Sequence, residues 1–368
     1  MPIQILETGP IYANPKPHLR SRQAVFPTVV SLGGPALLAS FTVGEAFESV
    51  DMHTELARST DGGRTWSDPV RFPQSRAPFP ASGSGRLTRT PAGELLCYSP
   101  RFDRTDPDRS IGSAETGGLI ECDVVLYRSA DEGATWSEAE VVPIPLPGPF
   151  EIATPIAVLA DGRWLALFST WRAWDGARRT PERTYALASS DGGRTWPDLL
   201  TLFADPEDQI TYWETRLIEI GDGRLLAIAW AHDHAHGRDL PNQFAVSADG
   251  RTFGPARSTG LPGQTCAAAW LGDGRLLCVY NHRHGDPGVR AALVQFDAAG
   301  DWPVEDLTVL WGQPLGVARA ADSVVGSMNH FRFGYPRLLD LGAGEFLVTF
   351  WCMEEAQLIC RWTRIRVA

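Results

Sequence analysis

Ser59-Thr60-Asp61-Gly62-Gly63-Arg64-Thr65-Trp66 returns as Ser129-Ala130-Asp131-Glu132-Gly133-Ala134-Thr135-Trp136, and again as Ser189-Ser190-Asp191-Gly192-Gly193-Arg194-Thr195-Trp196. A shortened copy, Ser247-Ala248-Asp249-Gly250-Arg251-Thr252-Phe253, follows. The copies are spaced by about 70, 60 and 58 residues, the scale of one repeated supersecondary unit. Each has the chemistry of a tight strand-to-strand turn. Ser and Asp hydrogen-bond the local backbone, Gly accepts positive φ, and Trp leaves the turn as a large apolar anchor.

A second repeat lies between these turns: a glycine followed by an apolar strand that ends in an aromatic residue. It starts at Gly34, Gly93, Gly162, Gly223, Gly274 and Gly344 and ends at Phe41, Tyr98, Phe168, Trp230, Tyr280 and Phe350. Most copies follow another short apolar run, such as Thr215–Ile220, so each reads as a hairpin. Their near-continuous apolarity marks strands covered on both faces. Six hairpins predict an all-β, six-bladed β-propeller of one domain spanning residues 1–368. The predicted blades are 24–73, 84–145, 150–207, 210–263, 264–315, and 330–368 with 2–14, a relic of the octapeptide standing at Phe296–Trp302. In this reading the N-terminal strand, Ile3–Leu6, completes the last blade and closes the ring.

Composition narrows the partners. A net charge of −11 lacks the basic footprint that nucleic acid or an anionic membrane surface requires, although a local arginine cluster can still oppose that sign. No apolar run reaches the length of a membrane span, and the N-terminus has no basic stretch followed by an apolar one. The six cysteines form no C-x-x-C pair, so buried reduced thiols and a cytoplasmic location are expected. Nothing in the sequence sets the oligomeric state.

In a propeller, chemistry gathers where first strands begin and second strands end. Those positions are rich in charged and aromatic residues: Arg86, Glu151, Trp213-Glu214-Thr215-Arg216 and Arg332 to Arg337 at the entries. At the exits stand Asp51, His53, Arg101, Trp171-Arg172, His232 to His236 and Asn281 to His284. With its repeats, the whole chain resembles the sialidase superfamily of propeller glycosidases. The resemblance implies a Tyr nucleophile helped by a Glu, an Asp acid/base, and three Arg that hold a substrate carboxylate; a Tyr nucleophile is an exception among retaining glycosidases. It carries over to Asp51 in Asp51-Met52-His53-Thr54 as acid/base, Glu214 in Trp-Glu-Thr-Arg as proton acceptor, and Tyr335 in Phe-Gly-Tyr-Pro as nucleophile. A Tyr hydroxyl is a poor nucleophile until a carboxylate takes its proton.

The arginine pattern departs from that family. Val25-Phe26-Pro27-Thr28 stands where the first Arg is expected, Trp230 falls at the second, and Arg290 matches the third. The substrate-binding set expected from the register is His53, Arg86, Trp171, Arg172, Arg216, His232, His234, His282, Arg290, Arg332 and Arg337. No cofactor is required; the alternating His232, His234 and His236 are the one place where a divalent metal would fit, although their spacing matches no zinc pattern. The bland readings are a loop cap for Asp51, an ion-pair partner for Glu214 and an inter-blade aromatic for Tyr335. The expected function is a glycoside hydrolase removing a terminal, acidic sugar from a glycan. The alternatives are a uronate polysaccharide lyase using Tyr and His, and a glycan-binding propeller without turnover.

Overall fold

The computed structural model describes residues 2–312 and 331–367. Its six antiparallel sheets are the blades of a β-propeller. Blade 1 runs Gln23–Gly33, Ala36–Gly44, His53–Ser59 and Val70–Arg71 from the axis outward. Blades 2 and 3 have broken innermost strands, Ala81–Gly83 with Arg86–Arg89, and Phe150–Glu151 with Ala157–Val158. Blade 4 starts with Ile210–Ile220, blade 5 with Cys266–Gly272, and blade 6 with Phe333–Gly342. The outermost strand of blade 6 is Ile3–Tyr12, antiparallel to Gln357–Val367. The expected blade ends at 313–315, 330 and 368 lie outside the described residues.

The octapeptides are the turns between third and fourth strands. In the first, Ser59 Oγ donates to Asp61 Oδ1 at 2.8 Å and accepts the Gly63 amide at 2.8 Å. Asp61 also receives the Thr65 amide at 3.0 Å and its hydroxyl at 2.6 Å. The Trp66 indole N–H closes onto the Gly63 carbonyl at 3.0 Å. Gly63 has φ +91°, and a Cβ there would meet Leu37 and Leu347 at 3.2 and 3.3 Å. That explains its persistence in the full copies. The relic in blade 5 keeps the anchor: Trp302 is buried and its indole N–H reaches the Asp297 carbonyl at 3.0 Å.

The core is distributed between blades. Leu96 and Tyr98 of blade 2 pack with Ala166 and Phe168 of blade 3, and Ile228 and Phe244 of blade 4 with Cys278 and Tyr280 of blade 5. Each Leu or Phe so buried contributes roughly 1.5–3 kcal/mol, which holds neighbouring blades in register around the axis. All six cysteines are free thiols, and five of them are buried.

Three innermost strands carry the same irregularity. The pairing of blades 1, 4 and 6 gains one residue between Val25 and Thr28, Trp213 and Arg216, and Gly334 and Arg337. The residue in the bulge, Phe26, Glu214 or Tyr335, has φ of +57°, +49° and +58° respectively. None of these side chains favours that conformation, so the surrounding sheet enforces it. The bulge re-aims all three residues, and all three line one cavity.

Candidate functional site

The cavity holds about 150 Å³, close to the volume that accommodates a single benzene ring in an engineered apolar cavity. One wall is aromatic: Phe26, Phe47, Tyr335 and Trp351, in mutual contact at 5.4–6.2 Å between ring centroids. The opposing cluster is Trp171, Trp213 and Trp230 with Phe331, Trp171 lying flat on Trp213 at 5.1 Å. Glu48, Glu151, Glu214, Arg86 and Arg283 bring charge to an otherwise apolar lining.

Glu151 and Glu214 belong to adjacent blades and meet at the cavity. Both oxygens of Glu151 accept the backbone N–H of Glu214 at 3.2 Å. Burial, and then the neighbouring Glu214 charge, push the Glu151 carboxyl up to about 7. Burial also raises Glu214, opposed by the positive charges of Arg216, Arg283 and Arg86. Among the described residues no hydrogen bond or ion pair ties down the Glu214 carboxylate. Two carboxyl groups, both raised by burial, therefore share one enclosed space, with the guanidiniums of Arg216, Arg283 and Arg86 favouring the charged form of Glu214.

Tyr335 sits differently from the expectation. Its ring carries the guanidinium of Arg86 at 4.8 Å and that of Arg216 at 4.7 Å from its centroid. Its hydroxyl is enclosed and has no hydrogen-bond partner among the described residues, so it is not bonded to Glu214.

Asp51 is exposed and does not line the cavity. Its Oδ1 accepts the Glu45 amide at 3.0 Å and the Ser49 hydroxyl at 2.5 Å, the role of a loop cap. His53 is buried against Glu55, which also pairs with Arg22. Arg172 is held by Glu182 at 2.7 Å. Arg290 belongs to the third strand of blade 5 and pairs with Asp286, off the axis. Arg332 and His282 do not line the cavity either, and His282 Nδ1 lies 2.7 Å from the Pro262 carbonyl. Trp171, Arg86, Glu214 and Tyr335 do line it, while Arg216 and Arg337 lie at the axis beside Tyr335.

The histidines face separate partners. His232 Nδ1 bonds Asp239 at 2.8 Å, His234 Nε2 bonds Thr211 at 2.8 Å, and His236 Nδ1 bonds Asp233 at 2.7 Å. Among the described residues no group of three or more His, Cys, Asp or Glu side chains is placed to hold a metal ion. His232 stacks on Trp213 and His234 meets its ring edge-on, neither of them lining the cavity.

Glu151 was visible in the sequence as a first-strand entry without a role, and Arg283 was passed over between two histidines. Arg283 lies on Phe331 at 3.8 Å, donates to the Gln264 side chain and the Phe333 carbonyl, and burial lowers it to about 10. Asp239 organises this side. It receives Trp230 Nε1 at 2.8 Å, Gln264 Nε2 at 2.6 Å and His284 Nε2 at 3.0 Å besides His232. Burial opposes its ionisation, but these hydrogen bonds hold it well below the usual carboxylate range.

Six blades, with the octapeptide turns recurring among them, form a sialidase-like propeller, with an aromatic cavity carrying three carboxyl groups at its axis. The chain belongs to the BNR repeat-like domain family, which matches residues 11–238. No curated protein sequence matches it. Among solved structures, a Dyadobacter fermentans protein of unknown function is 20% identical with a TM-score of 0.76, over 100% of this chain and 99% of that one. The α-L-arabinanase of Penicillium chrysogenum, complexed with arabinobiose, is 15% identical over 98% of both chains with a TM-score of 0.67. A Hadza microbial sialidase is 16% identical over 94% of this chain and 66% of that one, with a TM-score of 0.65. At these identities the likeness is one of fold. Among the described residues no helix is long and apolar enough to cross a membrane.

Proposed function

We propose that this chain is a glycoside hydrolase that takes one terminal sugar into the axial cavity, with Glu151 as proton donor and Glu214 as the ionised carboxylate. The observation that carries this reading is the meeting of Glu151 and Glu214 in one enclosed space, with Glu151 pushed to about 7. A carboxyl group that keeps its proton near neutrality can protonate a departing glycosidic oxygen. Glu214, with three guanidiniums around it and no bonded partner among the described residues, is suited to attack the anomeric carbon or to activate water. The role expected of Asp51 thus passes to Glu151, and Tyr335 becomes a wall of the site. The aromatic lining suits the apolar face of a sugar ring, and Arg86 and Arg283 favour one bearing an acidic group.

The fold's glycosidase neighbours, an arabinanase and a sialidase, support the same class. The lyase alternative called on Tyr and His together; Tyr335 lines the cavity, but His232 and His234 lie against Trp213 outside that lining, which favours the hydrolase. The test is a panel of 4-nitrophenyl glycosides, including a sialoside, a glucuronide and an α-L-arabinofuranoside, with Glu214→Gln as control. Turnover of one member, reduced by about 10²-fold or more in the variant, supports the proposal. Sugar binding without turnover of any member would make the chain a glycan-binding propeller.

A further inference from the structure

Every second blade places an arginine at the axis: Arg86 from blade 2, Arg216 from blade 4 and Arg337 from blade 6. Arg216 and Arg337 each stand two residues beyond a bulge, so the same local backbone directs both. None of the three forms an ion pair among the described residues. Arg86 Nη1 donates to the Ser84 carbonyl at 2.9 Å, Arg216 Nη1 to the Glu214 carbonyl at 3.0 Å, and Arg337 Nη1 to the Thr154 hydroxyl at 3.1 Å. Arg86 Nε and both Nε and Nη2 of Arg216 are buried with no partner. Burial and the charges of Arg216 and Arg86 lower Arg337 to about 10, so it remains a cation at neutral pH.

Among the described residues Arg86 and Arg216 share the Glu214 carboxyl and Arg337 has no carboxylate partner, so the charge enclosed here is only partly compensated, which is costly. Against these arginines stand Glu214, whose ionisation burial opposes and the guanidiniums favour, and Glu151, which holds its proton to about 7. The balance at the axis is therefore positive inside a chain of net charge −11. Directly beside Arg216, Arg337 and Thr154 lies a separate space of about 140 Å³, and another of about 230 Å³ adjoins Arg337. Neither shares a lining residue with the aromatic cavity.

We propose that the axial space at Arg216, Arg337 and Thr154 binds a small inorganic oxyanion, of the phosphate or sulfate class, which neutralises the arginine ring. Guanidinium forks and a hydroxyl are the donors that match such an anion, and the apolar remainder of the lining strengthens each charged contact. The anion would brace blades 3, 4 and 6 from inside the channel. This site does not depend on the glycosidase reading, because its ligand never enters the aromatic cavity.

The test uses the full chain, freed of oxyanions by dialysis into Tris chloride, which contains none. Inorganic phosphate and sulfate are titrated separately, against sodium chloride of equal ionic strength. The expected result is saturable one-to-one binding by calorimetry and a melting temperature raised by about 4 °C at a hundredfold excess over Kd. Arg337→Met should abolish the response and, without oxyanion, melt no lower than the wild type, since it removes an uncompensated buried charge. Should that variant fail to fold, Thr154→Val serves instead, with affinity expected to fall about tenfold. The proposal is overturned by a wild type indifferent to both anions, by an equal response to chloride, or by an unchanged response in the variants.

Discussion

Replacing Glu151 by Gln separates the carboxyl's proton from its shape. Glutamine matches the protonated acid in size and keeps an oxygen for the Glu214 amide, now 3.2 Å away. The carboxyl titrates near 7 in the folded chain against an ordinary value of 4.5. Below about 4.5 both folded and unfolded states carry the proton, and wild type and variant differ by a constant. Between about 4.5 and 7 the unfolded chain releases its proton while the folded chain retains it. The wild type therefore loses stability through Glu151 as pH rises through this window, and the variant loses none from this position. At about 1.4 kcal/mol per pH unit, the interval amounts to about 3 kcal/mol in favour of Glu151→Gln at pH 8 relative to pH 4. Comparing the two proteins cancels the titration of groups they share, leaving Glu151 and its repulsion with Glu214. Urea unfolding followed by tryptophan fluorescence at a series of pH values measures the difference. A stability gap that stays constant across that range would refute the claim that Glu151 is protonated at neutral pH.

Tyr335→Phe removes an enclosed hydroxyl without a partner among the described residues, so stability should hold or rise by about 1 kcal/mol, with turnover within a few-fold of wild type. A loss of about a thousandfold would restore the tyrosine as nucleophile. Asp51→Asn leaves a loop cap with its acceptor oxygen and should leave kcat/KM roughly unchanged; a shift in the acidic limb of the pH–rate profile would return Asp51 to the mechanism. Asp239→Asn weakens the hub under Trp230 and Arg283, each hydrogen bond to the charged carboxylate being worth roughly 1.5–3 kcal/mol. KM should rise more than kcat falls, with a red-shifted tryptophan emission, and an unaltered KM would show that the wall holds without the hub.

The architecture was legible because its signals are local. A turn that needs Ser, Asp, Gly and Trp in order repeats its sequence wherever it recurs, and the six hairpin glycines from Gly34 to Gly344 all take positive φ. Glu214 and Tyr335 were found for a similar reason, since both lie in first strands ahead of a hairpin glycine, and Phe26 occupies the equivalent bulge. What spacing does not encode is side-chain direction inside loops. Asp51 turns back onto its own loop through Ser49 and Glu45, and the three alternating histidines fall to three different partners. Arg283 reaches the cavity only because Gln264 and the Phe333 carbonyl, distant in sequence, draw it there. The pairing of Glu151 with Glu214 spans two blades, so no periodicity within either one announces it.

The most direct test of the central claim compares leaving groups in Glu151→Gln, using the glycoside on which the wild type turns over. A 2,4-dinitrophenolate departs without protonation, whereas an alkyl leaving group requires a proton donor. If Glu151 is that donor, the variant should keep close to the wild-type kcat/KM on the dinitrophenyl glycoside and lose about 10²–10⁴-fold in kcat/KM on the alkyl glycoside. An equal loss on both substrates, or no loss on either, would contradict the assignment.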